Sequence, residues 1–208
     1  MKPRRRGWPP GENRKCSAKE RLRRSIKERL AGLSAGQFGA EGKKAAGLLC
    51  ASPLWKRYSS ILLFLSLKDE IDTGPLLEAA FAEKKRVFVP RVEKNGLAFY
   101  EARPSGPRAK GPSGPLPAGE TAERPLSPED FPALIIVPGL AFDLSGRRLG
   151  RGKGCYDRFF AELEKNVPAG GYKAIGLCME IQIKAGVPAS SSDKKMDGLL
   201  SAAQLIYF

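Results

Sequence analysis

The chain has 208 residues, 42% of them apolar, enough for one compact domain with a sizeable core. Its 36 basic and 22 acidic residues leave a formal net charge of +14, an excess that favours anionic partners such as nucleic acid, phosphorylated cofactors or polycarboxylates. Histidine is absent, which excludes imidazole acid–base catalysis and histidine metal sites, and no apolar run approaches the roughly 18–20 residues that span a bilayer.

Residues 1–17 combine Pro3, Pro9, Pro10 and Gly11 with six basic residues and no apolar periodicity, so a disordered basic arm is expected there. It has no apolar segment of the kind a secretory signal needs. The four cysteines, Cys16, Cys50, Cys155 and Cys178, form no Cys-x-x-Cys pair, which suits a reducing compartment and a cytoplasmic protein. Ser17 can cap a helix through Leu33, with Leu22, Ile26, Leu30 and Leu33 at helical spacing and a basic opposite face. A second helix is expected over 35–49, with Pro53 stopping it.

Residues 60–66 read as a buried strand, followed by a loop, Leu67 to Thr73, at its carboxyl end, where ligands gather in open α/β sheets. Asp72 or Thr73 can cap a helix over 75–83. Strands are expected over 86–90 and 95–101, and the Pro/Gly/Ser-rich stretch 103–128 reads as one long surface loop.

The most informative stretch is Val137-Pro138-Gly139-Leu140-Ala141-Phe142-Asp143 followed by Arg148-Leu149-Gly150-Arg151-Gly152-Lys153-Gly154-Cys155-Tyr156-Asp157. It leaves a buried strand over 133–137 and enters a helix in which Tyr156, Phe159, Phe160 and Leu163 share a face. Strand, glycine-rich loop and helix together offer free N–H groups and a helix N-terminus to an anion. Gly150, Gly152 and Gly154 let the backbone approach a ligand, and Arg148, Arg151 and Lys153 add positive charge. Asp157, in the first helical turn, is placed to hold a cation that a phosphate brings with it. The loop is not a Walker loop, since Lys153 is followed by Gly154, nor a dinucleotide fingerprint, since its glycines run Gly-x-Gly-x-Gly. A metal–polyphosphate site is one reading; a flexible basic turn or nucleic-acid patch is the other. Beyond it, a strand over 172–178 and a short turn or helix over 181–185 precede Asp193 and Asp197, which read as turn residues. Alternation of strands and helices from residue 60 onward predicts an α/β fold with a mainly parallel, layered sheet.

The run from Val137 to Asp157 resembles the signature of the 5-formyltetrahydrofolate cyclo-ligase (5,10-methenyltetrahydrofolate synthetase) family. The resemblance implies a three-layer Rossmann-like fold similar to the sugar-phosphate isomerase and CoA-transferase group, in a single domain over 18–208. It implies ATP-dependent cyclisation of 5-formyltetrahydrofolate through a phosphorylated formyl group, with Mg²⁺, and release of ADP and phosphate. Lys19 and Arg23 match the family's Lys-x-x-x-Arg pair and, with Arg148, Gly150, Arg151, Gly152, Lys153 and Gly154, are assigned to ATP. Glu70 matches the acid that contacts the pterin, and Leu65, Tyr156 and the 151–155 segment complete the folate site. Lys153, Arg151 and Tyr156 carry the catalytic assignment, and Asp157 with Asp193 the metal. Cys155 stands where the family has a first tyrosine, so weaker folate binding is expected, and Ser192 stands beside Asp193 where a histidine is common. Around Gly114-Pro115 only part of the family's turn is present. The expected partners are ATP and 5-formyltetrahydrofolate, with or without a polyglutamate tail, to a monomer or weak homo-oligomer, with no membrane. Nucleic acid is the disfavoured alternative, because the aromatics sit at core positions and are not interleaved with the basic residues. A related small-molecule enzyme of the same fold is a further alternative, but it leaves Glu70, Lys19 and Arg23 without a role.

Overall fold

The computed structural model describes residues 17–94, 96–103, 121–190 and 193–208. The arm expected over 1–17, apart from Ser17, lies outside the described residues, as do Gly114, Pro115 and Ser192. Helices α1 (Ala18–Ala31) and α2 (Ala35–Ala51) each begin in a capping box, Ser17 with Glu20 and Ser34 with Gln37, which satisfies orphan N–H groups in both directions. Ile26 and Leu30 face inward from α1 as their spacing predicts. Pro53 does stop α2, but it also opens a new one-turn helix, α3 (Pro53–Arg57), where a missing N–H costs nothing and Ser52 supplies the cap.

Among the described residues an eight-stranded sheet runs in the order β11-β10-β8-β5-β1-β2-β3-β4. Its five central strands, β10 (Gly198–Leu200), β8 (Tyr172–Leu177), β5 (Ala133–Val137), β1 (Ser60–Leu63) and β2 (Arg86–Glu93), are parallel to one another. Antiparallel strands finish both edges, β11 (Leu205–Tyr207) on one side and β3 (Gly96–Ala102) with β4 (Thr121–Pro125) on the other. Alternate residues of the central strands supply two separate cores. Ile61, Leu63, Val87, Val89, Leu134 and Ile136 pack under α1, α2 and α4 (Gly74–Ala82). Leu62, Phe88, Ile135, Val137 and Ala174 pack under α5 (Cys155–Asn166) on the opposite face. Burial on both faces is why these strands read as continuous apolar runs, and the result is the expected three-layer α/β arrangement.

Two departures from expectation matter for the site. The end of the predicted 103–128 loop is strand β4, which pairs with β3 and is followed by Leu126 N–H donating to Phe99 C=O at 2.9 Å. An edge strand carrying Arg124 and Pro125 shows no apolar alternation, so nothing local announces it. The central motif is also more than strand, loop and helix. Between β5 and the glycine-rich loop it folds into a tight hairpin, β6 (Ala141–Asp143) and β7 (Arg148–Leu149), which joins β9 (Ile183–Lys184) in a small second sheet.

Candidate active site

A cleft of about 530 Å³ opens at the carboxyl ends of β1 and β5, and every site residue named from the sequence lines it. One wall is apolar, made by Phe64, Leu65, Leu67, Pro90, Val92 and Leu97. Leu67 and Val92 are 54% and 74% exposed at its mouth, unusual for large aliphatics and suited to a ligand with a flat apolar part. The facing wall is the glycine-rich loop 150–154. Gly152 (φ +104°) and Gly154 (φ +62°) adopt left-handed conformations that disfavour a side chain, and Gly154 caps α5 with no side-chain hydrogen bond. The N–H groups of the first turn of α5 are therefore open to an anion at the positive end of a helix.

Around this loop most charges already have a partner of opposite sign. Arg23 of α1 donates through Nε to the Gly150 C=O at 3.0 Å, tying the first helix to the loop. Lys19, one turn earlier, sits 2.6 Å from Asp193 Oδ2, and the Ser190 N–H donates to the same oxygen at 2.7 Å. Burial pushes the Asp193 carboxyl up, but the Lys19 ammonium and the Ser190 amide outweigh it and hold it below the ordinary range. Arg148 is buried and donates to Asp157 Oδ1 at 2.8 Å and to the Pro138 C=O at 3.3 Å, with its guanidinium 5.5 Å from the centre of the Tyr156 ring. Its Nε and the Tyr156 hydroxyl are buried polar atoms without a hydrogen-bond partner among the described residues. Burial pushes the Tyr156 phenol well above its usual value, with Arg148 pulling it back only in part, so it is a neutral donor at physiological pH. Lys153 is exposed at the loop tip, and among the described residues no ion pair holds its ammonium.

Arg151 reaches from the loop to the segment after β1. It meets Asp69 with Nη1 to Oδ2 at 3.0 Å and Nη2 to Oδ1 at 2.7 Å, and it donates from Nε to Glu70 Oε1 at 3.1 Å. The Arg151 hydrogen bonds hold the Asp69 carboxyl below the ordinary carboxylate range. Cys155, the first residue of α5, lies beside Arg158, with Nη2 3.8 Å from its sulfur. Sequence reasoning passed over Asp69, which sits beside an acid with a clearer role. It also passed over Asp143 and Gln182, whose side chains bind the backbone that carries the loop. Gln182 Nε2 donates to the Gly139 C=O at 2.7 Å. Asp143 accepts from the N–H groups of Ser145, Arg147 and Val187.

A cleft at the carboxyl ends of parallel strands, entered by a glycine-rich loop and converging charges, is the arrangement of an α/β enzyme that handles a phosphorylated ligand. Residues 15–202 match the sequence profile of the 5-formyltetrahydrofolate cyclo-ligase family, and the chain belongs to that family. It is thereby an enzyme of the cyclo-ligase type. It is 30% identical over 191 residues to the mouse 5-formyltetrahydrofolate cyclo-ligase, covering 88% of this chain and 93% of the mouse protein. A probable 5-formyltetrahydrofolate cyclo-ligase from Schizosaccharomyces pombe is 32% identical over 165 residues, 74% of this chain and 80% of the yeast protein. The solution structure of Aquifex aeolicus 5,10-methenyltetrahydrofolate synthetase superposes with a TM-score of 0.71 at 28% identity, covering 92% and 93% of the two chains.

Proposed function

We propose that the protein converts 5-formyltetrahydrofolate to 5,10-methenyltetrahydrofolate with consumption of ATP and release of ADP and phosphate. The observation that carries this is one cleft lined by two unlike sets of groups: Glu70 with apolar side chains, and the Lys153 loop with the first turn of α5, whose cap Gly154 offers no side-chain hydrogen bond. Glu70 is fixed by its own loop, its Oε2 accepting the Leu67 N–H at 3.0 Å. A carboxylate held so can accept a pair of N–H bonds from a pterin, whose ring would lie on the apolar wall. The loop and α1 then receive the triphosphate, with Lys19 and Arg23 at its nucleotide side.

The formyl oxygen of the substrate attacks the γ-phosphorus and the bond to ADP breaks, which turns a poor leaving group into a good one. N10 then attacks the formyl carbon and loses its proton, and the C–O bond breaks to release phosphate. Neither step needs a protein nucleophile; both need orientation and neutralised charge, which is chemistry open to an enzyme without histidine. Lys153, without an ion pair among the described residues, and Arg151 stabilise the charge on the phosphoryl group in transfer. Tyr156 offers its hydroxyl, unpartnered among the described residues, as a hydrogen-bond donor toward the folate.

The donor set fits Mg²⁺ that arrives with the nucleotide. The described residues contain no cluster of three or more metal-ligating side chains, whereas Mg²⁺ commonly takes one or two carboxylates and completes its shell with phosphate oxygens and water. Asp157 and Asp193 would be those carboxylates, with Arg148 and Lys19 balancing their charge beside them. The ion would supply neutralisation of phosphate charge. We further infer that 18–208 act as one catalytic domain, that the protein works as a monomer or weak homo-oligomer, and that it resides in the cytoplasm. The free thiols of Cys50, Cys155 and Cys178 support a reducing compartment, and no described helix is long and apolar enough to cross a membrane.

The test is product formation from 5-formyltetrahydrofolate followed by the absorbance of the methenyl compound. Product is expected only when both ATP and Mg²⁺ are present. Folded protein that binds ATP but forms no product would overturn the reading.

A further inference from the structure

Arg151 is shared by two carboxylates of one short loop, and the two hold it differently. Asp69 grips it in a fork, with separate guanidinium nitrogens on separate oxygens at 3.0 and 2.7 Å. Glu70 offers only Oε1, which Arg151 approaches twice, Nε at 3.1 Å and Nη2 at 3.0 Å. The other oxygen of Glu70 accepts the Leu67 N–H and keeps a second lone-pair position open. Oε1 carries one hydrogen bond from Arg151 Nε and a close charge contact from Nη2 of the same guanidinium. A ligand that brings two N–H donors to Glu70, one to each oxygen, competes with Arg151 at Oε1. The side chain of Glu70 is 10% exposed and that of Asp69 36%, so Glu70 is the enclosed member of the pair and Asp69 the one nearer solvent.

We propose that Asp69 is a positioning residue that retains Arg151 when the folate takes Glu70, and thereby sets the affinity for that substrate. The inference rests on the folate reading above. A bidentate guanidinium–carboxylate pair survives loss of a third contact because its own two bonds are intact. Removing the Asp69 charge leaves Glu70 as the one carboxylate paired with Arg151 among the described residues, and the guanidinium then competes with the pterin for it. Arg151 meets the nucleotide only at the phosphoryl group in transfer, so the competition bears on folate affinity and on turnover and leaves the affinity for ATP unchanged.

The experiment is steady-state kinetics of Asp69→Asn and Asp69→Glu against the unaltered enzyme, with each substrate varied in turn. Asp69→Asn is expected to raise the KM for 5-formyltetrahydrofolate about ten-fold and to lower kcat, with the KM for ATP within about two-fold. Asp69→Glu, which keeps the carboxylate, is expected to restore most of the folate affinity. The melting temperature of Asp69→Asn is expected within about 2 °C of the parent, since partly exposed pairs contribute little to stability. A folate KM unchanged in Asp69→Asn, or both KM values, kcat and the melting temperature shifting together, overturns the inference while the unaltered enzyme still makes product. An unaltered enzyme that makes no product overturns the functional reading, and the role of Asp69 falls with it.

Discussion

Asp143 sits inside the motif that marks the site, in the run Ala141-Phe142-Asp143, yet its carboxylate faces backbone and not ligand. Oδ1 accepts the Ser145 N–H at 2.9 Å and the Arg147 N–H at 3.1 Å, and Oδ2 accepts the Val187 N–H at 2.8 Å. One buried side chain thus closes the β6–β7 turn and fastens it to the segment leading to Asp193. Asp143→Ala leaves three N–H groups without their acceptor and is expected to cost about 3 kcal/mol in urea unfolding; a cost below about 1 kcal/mol would show that water replaces the carboxylate. Lys153 is the opposite case, exposed and without a partner among the described residues. Lys153→Ala is expected to lower kcat at least about 100-fold with little change in melting temperature. An unchanged kcat would remove Lys153 from the mechanism. The two residues stand ten apart in one motif, and only contacts separate the structural acid from the cation proposed for phosphoryl transfer.

At the scale of elements, the far edge of the sheet depends on one buried acid. Asp130 closes a short turn after β4 by accepting from the Ser127 N–H at 2.8 Å, and it pairs with Arg124 at 3.0 Å and with Arg86 of β2. Burial pushes its carboxyl up, but the hydrogen bonds from Arg124 and Ser127, with the Arg86 charge, hold it below the ordinary carboxylate range. A carboxyl with a depressed folded-state pKa stabilises the fold above the unfolded value of about 4 and ceases to do so as pH falls through the folded value. Asp69, Asp193 and Glu164 are displaced in the same direction. The urea midpoint is therefore expected to be flat from about pH 7 to 5 and to fall below about pH 4. Asp130→Asn should give a lower midpoint at pH 7 and a shallower acid decline; an equally steep decline would place the acid sensitivity elsewhere. The glycine-rich loop depends on its neighbours in a comparable way, pinned by Arg23 from α1 and by Arg151 to the loop after β1.

At the scale of the whole molecule, the cleft is assembled from segments far apart in the chain: α1, the loop after β1, the 150–154 loop and the stretch around Asp193. Ligands that bridge them bind the folded state alone and raise its stability by mass action. Mg-ATP or 5-formyltetrahydrofolate at about 100 times its Kd adds about 2.7 kcal/mol, which for a chain of this size is expected to raise the melting temperature by about 5–10 °C. Absence of a shift with folate alone would separate the folate assignment from the nucleotide one. The α/β class, the capped helices α1 and α2 and the central strands are legible in the sequence, because each rests on a local cause: a capping residue, an apolar period, a run buried on both faces. The strand–glycine–helix motif is local too, and its residue types point to phosphate chemistry before any fold is known. Strand β4 and the β6–β7 hairpin are not legible, since their pairing partners, and not their own composition, make them strands. Nor are the charge pairs of the cleft. Arg151 and Asp69 are 82 residues apart, Lys19 and Asp193 174 apart, and no period or spacing relates them. The chemistry of the loop was thus determined by its amino acids, whereas which cation faces which acid was decided by the sheet, whose parallel strands bring their carboxyl ends to one edge.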